Sequence, residues 1–410
     1  MQSRFRIYVK RLSFLILAVL TLFGGFNWLV NPYDTYRSPS IEGFNAEKPE
    51  VRTHLRMAKA YAVRVLRPQA IILGTSRGEV GVDPSHGGWP SQLVYNLSID
   101  GANMYEILRF FQHAHHIQPL KQVLLTLDFF SFGTNNTNKA DFIEAELSVN
   151  YVGRSTPIFS TGAKSTLFST DTIISSIATL RQQKSSIGNL RDGMVKPEQK
   201  ASYVKAKGHH AWFITTAIEY ATSHYLPGGY NYTVDSAGSP FTYYRKILQI
   251  AYRDGIDLRM VISPSHVRQW EVLAAAGLYP KFEAWKRALV AINEEEARLA
   301  GKTPFPLWDF SVYNALTTEA VPPPGDIQTA MRWYWDSSHY KKELGDLMLD
   351  RVFGYHKPGR VVPDDFGVLL TSQNIDSHLQ KIRADRQHYR DTHPDDIAEI
   401  EEIFNTYVKK

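Results

Sequence analysis

Residues 12–30 constrain this chain more than any other stretch. The run LSFLILAVLTLFGGFNWLV carries no charge, and as a helix rising about 1.5 Å per residue it is just long enough to cross a hydrocarbon core of about 30 Å. Arg4, Arg6, Lys10 and Arg11 precede it, and no positive residue follows before Arg37. That asymmetry puts the amino end in the cytoplasm and the bulk of the chain outside. Trp28 and Tyr33 stand where interfacial aromatics belong. Leu12 to Phe23 alone would serve as the apolar part of a cleaved signal peptide, but Gly24-Gly25-Phe26-Asn27-Trp28 offers no small-x-small cleavage site. A retained signal anchor is the expectation, since a buried core helix would not explain the basic flank and the uncharged run together.

The remaining length, within 410 residues that are 43% hydrophobic and 21% charged, suffices for one large domain with excursions or two modest ones. There is no cysteine, which removes disulfides, thiolate catalysis and cysteine-ligated zinc and fits an oxidising compartment. A formal charge of +5 without a long basic run argues against nucleic acid as a partner and is compatible with anionic glycans or lipid surfaces. Repeats, P-loops, GxGxxG turns and zinc signatures are missing, so neither a cofactor nor a metal is expected.

The organising stretch is Ala70 to Pro84, AIILGTSRGEVGVDP. Ala70 to Leu73 reads as a short buried strand, and Gly74-Thr75-Ser76-Arg77 turns sharply out of it, presenting Ser76 rather than packing it. Further strands are read at Leu93–Leu97, Val123–Leu127, Ile256–Ile262 and Pro306–Phe310, alternating with helices at Met104–Ile117, Tyr243–Arg253 and Pro280–Ala300. This is the pattern of an α/β protein with a parallel sheet covered on both faces. Such sheets place their chemistry in loops at the carboxyl edge. About 260 residues after Ser76 comes Trp333-Tyr334-Trp335-Asp336-Ser337-Ser338-His339-Tyr340, at the mouth of a loop leading into a helix over 341–353. An Asp and a His three apart can converge so that the carboxylate holds the imidazole while the imidazole faces a serine, whose hydroxyl needs an adjacent base at neutral pH. Alone, each block has a plainer reading, as a tight turn or as a capping Asp before a surface His.

GTSR after the first strand, NLSIDGAN after the second and WDSSHY before the closing helix together resemble the SGNH (GDSL-like) hydrolase superfamily. Within it the chain resembles the membrane-anchored, cell-envelope branch of the DltD and AlgJ/AlgX kind, related to alginate- and teichoic-acid-modifying proteins. The resemblance covers roughly Ala70 to Asp128 and Gly255 to Gly354. It implies a three-layer α/β/α, flavodoxin-like sheet, with Ser76 as nucleophile, His339 as base and Asp336 as the orienting carboxylate. It also implies an oxyanion hole from the N–H of Ser76 or Arg77 and that of Gly101. The superfamily's third block, GxND, is replaced here by Leu127-Asp128-Phe129-Phe130-Ser131-Phe132-Gly133; Asn103, Asn135 or Asn136 are the available substitutes. The implied activity is serine-dependent O-acyl transfer to water or a sugar on an exported cell-envelope polysaccharide. A multispanning membrane O-acyltransferase is the implied partner and the bacterial inner membrane the implied setting. A non-catalytic, polysaccharide-binding scaffold with a degenerate site is the other reading. A phosphodiesterase or metal hydrolase would need carboxylate and histidine clusters that are lacking.

Three more residues at the carboxyl edge are candidate substrate contacts, each with a structural alternative. Arg77 could meet an anion on the glycan or be a surface residue. Asp128 could touch the site or cap a turn, and His266, in Ser263-Pro264-Ser265-His266, could face the substrate or hold its loop. His113, His115 and His116 are read as solvated, as are His54, the basic residues of a helix within Glu50–Leu66, and Glu294-Glu295-Glu296. The full division reads as a basic tail over 1–11, an anchor over 12–30 and a linker with packing helix over 31–67. An SGNH-like domain over 68–132 and 240–356 follows, interrupted by a helical cap over 133–239, in which Ile173, Ile174, Ile177 and Leu180 mark an amphipathic helix. A helical extension over 357–410 closes the chain. Asn96-Leu97-Ser98 and Asn231-Tyr232-Thr233 match a glycosylation pattern without a secretory context that would use it.

Overall fold

The computed structural model describes residues 2–90, 93–156, 166–226 and 238–408. Asn231-Tyr232-Thr233 and parts of the expected cap lie outside the described residues. In chain order the first elements are α1 (Gln2–Val30), α2 (Leu55–Leu66), β1 (Ala70–Leu73), α3 (Ser76–Gly81), β2 (Val94–Asn96), α4 (Met104–Ile117) and β3 (Gln122–Leu127). Next come α5 (Thr170–Arg181), α6 (Pro197–Glu219), α7 (Pro240–Asp254), β4 (Asp257–Ile262), α8 (Val267–Ala275) and α9 (Tyr279–Ala300). β5 (Leu307–Asp309), α10 (Lys342–Phe353), β6 (Val368–Leu369), α11 (Ile375–Thr392) and α12 (Pro394–Tyr407) complete the chain.

The chain divides into two compact units, and the cap expected over 133–239 is split between them: Ala140–Asn189 falls in the first, the residues up to Lys139 and from Leu190 onward in the second. The first unit comprises Met1–Arg67, Gln112–Ile117 and Ala140–Asn189. Its α1 is long and apolar enough to cross a membrane. Several polar groups read as solvated are buried here. Arg56 pairs with Asp141 at 2.9 Å, and Lys59 is covered. His113 is fully buried, its Nε2 2.9 Å from the Ala60 carbonyl and its Nδ1 accepting the Ser148 N–H at 2.9 Å.

The second unit comprises Pro68–Phe111, Gln118–Lys139 and Leu190–Lys410. It holds a six-stranded sheet in the order β2-β1-β3-β4-β5-β6, parallel except for β6, which the sequence pattern did not reveal. The first five strands follow the doubly wound order in which connections leave β1 in one direction and β3 in the other. Every residue of β1 and β3 is buried, so both faces of the central sheet are covered, which is why these strands read as unbroken apolar runs. Ser239 caps α7 with Pro240 in its first turn, as the sequence favours at a helix start. Glu296 is buried on α9 and paired with Arg245 at 2.5 Å, unlike the solvated acidic run expected there.

Candidate active site

Ser76 is delivered by backbone that leaves almost no room. At Gly74 the chain turns out of β1 with φ 153°, and an added Cβ would sit 1.8 Å from Thr126 Oγ1 on β3, so only glycine fits. Thr75 caps α3 by accepting the Arg77 N–H at 3.3 Å and donates its hydroxyl to Asp128 at 2.5 Å. Behind α3, the Asn96 amide donates to the carbonyls of Gly78 and Val82 at 2.8 and 2.9 Å. Asn96 is therefore a buried structural group rather than a glycosylation acceptor. Ser76, at the first position of α3, remains 8% exposed.

The second half of the site is a tight loop. Trp335 N–H donates to the His339 carbonyl at 2.9 Å and Lys341 N–H to the Trp333 carbonyl at 2.7 Å, with an antiparallel bridge between Tyr334 and Tyr340. Asp336, fully buried, accepts the N–H groups of Ser338 and His339 at 2.8 and 2.9 Å. His339 Nδ1 donates to the same carboxylate, 2.8 Å from Oδ2, and His339 Nε2 lies 2.9 Å from Ser76 Oγ. Burial alone would raise the Asp336 pKa; the charge and hydrogen bond of His339 hold it below the usual carboxylate value, so the group is ionised. The His339 side chain is 15% exposed, leaving the serine–histidine pair open on one side.

The three candidate substrate contacts take structural positions instead. Arg77 is buried behind the nucleophile turn, with Nη1 2.9 Å from Asp128 Oδ1 and Nε 3.0 Å from Ser338 Oγ. Its guanidinium also lies over the rings of Phe130, Tyr220 and Trp270. Asp128 is consumed by Arg77 and Thr75. His266 is buried; its Nδ1 accepts the Arg268 N–H at the start of α8 and its Nε2 donates to the Glu319 carbonyl at 2.8 Å. Its backbone N–H reaches the Ser337 carbonyl at 3.0 Å, so His266 braces the acid–base loop and presents no atom to a substrate.

Among the expected oxyanion donors, Asn103 drops out. Its amide donates to Asn136 O at 2.8 Å and Asn138 Oδ1 at 2.9 Å, while its Oδ1 accepts the Glu106 N–H inside α4. Gly101, with φ +62°, lies in the turn after β2, and that turn is tied to the nucleophile turn by Ile99 N–H on the Gly74 carbonyl at 3.0 Å. The N–H groups at the start of α3 and the Gly101 turn thus share one edge.

Several supporting residues carry no sequence signal. His209, just past a kink in α6 at Gly208, donates from Nδ1 to the Trp335 carbonyl at 3.0 Å and accepts the Met331 N–H on Nε2 at 3.1 Å. Burial lowers its pKa and favours the neutral ring that this double role needs. Tyr220 OH bonds Ser338 Oγ at 2.8 Å, and Gln269 accepts the Ser337 hydroxyl at 2.9 Å. Only the WYWDSSHY loop itself, dense in aromatics and hydroxyls, hints that so many partners converge on it.

A cavity of about 440 Å³ is lined by Phe130, Asn135, Asn136, Lys139, Glu219 and His224 among others. Burial raises the Glu219 pKa and the charge on His339 draws it back, which places the carboxyl within electrostatic reach of the imidazole. His224, half-buried and near Lys139 and Arg77, is pushed down to about 4 by desolvation and is neutral at pH 7. Among the described residues no group of three or more His, Asp and Glu is arranged to hold a metal ion. No protein-family model matches this chain, and neither a curated protein nor a solved structure matches it.

Proposed function

We propose that this chain is a serine-dependent O-acyl esterase or acyltransferase of the SGNH kind, acting outside the membrane on an exported cell-envelope polysaccharide. The observation that carries the reading is the hydrogen-bonded series from Ser76 Oγ through both nitrogens of His339 to an ionised, buried Asp336. In such an arrangement His339 Nε2 takes the Ser76 proton as Oγ attacks the ester carbonyl carbon. Asp336 stabilises the imidazolium. Collapse of the tetrahedral intermediate breaks the ester C–O bond, and Nε2 returns the proton to the departing alkoxide oxygen. Water or a sugar hydroxyl then attacks the acyl-Ser76 carbonyl, with His339 again taking the proton; collapse breaks the acyl–Oγ bond and Nε2 returns that proton to Ser76 Oγ. Backbone N–H groups of Ser76 and Gly101 are the donors for the oxyanion, the Arg77 N–H being held by the Thr75 hydroxyl. The cavity beside Glu219, lined by amides, a lysine and rings, suits a hydroxyl-rich acceptor.

The membrane setting and a multispanning acyl-donor partner enter with the family resemblance, together with α1. A non-catalytic polysaccharide-binding role is the second reading, and the engagement of Asn103 elsewhere supports it by leaving the oxyanion without a side-chain amide from that position. The test is acetyl-ester cleavage by the full chain in mild detergent beside Ser76→Ala and His339→Ala. Loss of roughly 10³-fold or more in both variants is expected, with an acyl adduct on Ser76 by mass spectrometry. Neither turnover nor adduct with any ester or glycan acceptor would overturn the enzymatic reading in favour of the binding one.

A further inference from the structure

α5 is inside out for a helix in water. Its buried residues are Thr172, Ser175, Ser176 and Thr179, while Ile174 is 67% and Ile177 39% exposed. A water-facing helix would turn these isoleucines inward and its hydroxyls outward. The polar side instead forms a seam with α1 and the residues just after it, with Ser175 accepting the Tyr33 hydroxyl at 3.0 Å. Ser176 Oγ donates to Asn27 Oδ1 at 2.9 Å, and the Asn27 amide donates to the Leu167 carbonyl at 2.9 Å. At Gly24 a Cβ would lie 2.8 Å from the Phe168 ring, so that ring packs directly against the α1 backbone. Small residues in close approach, with hydroxyl and amide bonds across the seam, are how helices associate in lipid, where burying isoleucine between helices gains little.

The depth of this seam follows from α1. Lys10 and Arg11 mark the inner boundary of the uncharged run. Residues 12–22 are almost wholly exposed, and they span only about 16 Å, half of a core of about 30 Å. The other half has to come from residues 23–30, where Gly24, Asn27 and Val30 form a buried stripe. The segment against that stripe lies at the same level, and its exposed surface, Phe168 (51%), Ile174 and Ile177, continues the bare apolar surface of α1.

Resting on the reading of α1 as a membrane span, we propose that the Ile174–Ile177 side of α5, with Phe168, is immersed in the acyl chains of the outer leaflet. The chain would then meet the bilayer through a span and a short companion helix, and the partner of this surface is lipid.

The absence of cysteine lets single cysteines be placed without background. Full-length chains carrying Ile174→Cys, Ile177→Cys, Leu17→Cys or Lys302→Cys would be spin-labelled and reconstituted in phosphatidylethanolamine–phosphatidylglycerol vesicles. Collisions with oxygen would be compared with those with a water-soluble nickel chelate. The labels at 174 and 177 are expected to follow Leu17, relaxed by oxygen and shielded from nickel. If they follow Lys302 while Leu17 stays shielded, the immersion of α5 is overturned and the span stands, leaving the surface for a protein partner. If Leu17 is also reached by nickel, both are overturned.

Discussion

Asp336 sets which nitrogen of His339 faces Ser76, because its carboxylate can only accept. Asp336→Asn keeps the size of the side chain but can present N–H to Nδ1, favouring the tautomer that leaves Nε2 protonated and unable to take the serine proton. Ester-cleaving kcat is expected to fall by roughly 10⁴ while the unfolding midpoint changes little, read by steady-state kinetics beside thermal unfolding. Equal loss of activity and fold would show that Asp336 acts only as scaffold. Arg77 calls for the opposite outcome. Removing it as Arg77→Ala strands the buried Asp128 charge without its cation, expected to cost about 3–5 kcal/mol. A stable variant with a raised KM for anionic esters would instead make Arg77 a substrate contact. Ser76, Asp336 and His339 were legible because their types and local spacing already limit what they can do. Arg77, Asp128 and His266 were not, since their partners come from segments 51, 53 and 53 residues away, and sequence shows a charge without showing where it points.

Between elements, the tightest joint near Ser76 is α3 against α10. A Cβ on Gly345 would lie 1.8 Å from the Gly81 carbonyl, an atom that cannot swing aside. Gly345→Ala should therefore force α10 away from α3, at a cost of about 1–3 kcal/mol in stability. Urea unfolding of the full chain checks it, and an unchanged midpoint would mean the joint is looser than the distances imply. This joint was invisible in sequence, where Gly345 is one residue inside a helical pattern. What could be read was the sheet: β1 and β3 announce themselves as apolar runs because both faces are covered, and α4 by its period. β6 is two residues long, too short to leave a pattern. α5 misled for a different reason. Its isoleucines have a helical period in either solvent, and periodicity reports that one side differs from the other without saying which side meets water.

For the molecule as a whole, acid stability should be governed by histidines buried in the neutral form. His224 and His266 are both drawn from 6.5 to about 4, chiefly by burial, and His86 and His209 are also lowered. In this case the unfolded chain takes up protons first as pH falls. The stability these sites contribute is complete above about 6.5 and is lost as pH falls toward about 4. Glu146, raised to about 7 by burial and Asp141, and Glu219, also raised, work the other way over an overlapping range, so the wild-type curve mixes both signs. A variant separates them. His266→Asn keeps an acceptor for the Arg268 N–H at the start of α8 and removes the titration, leaving the glutamates untouched. Between pH 7 and 4.5 the unfolding free energy of the variant should fall less steeply than that of wild type. The difference accumulates to on the order of 3 kcal/mol by pH 4. Parallel curves would mean that His266 stays protonated or becomes hydrated in the folded chain, and that the buried brace beneath the Ser337 carbonyl is not dry.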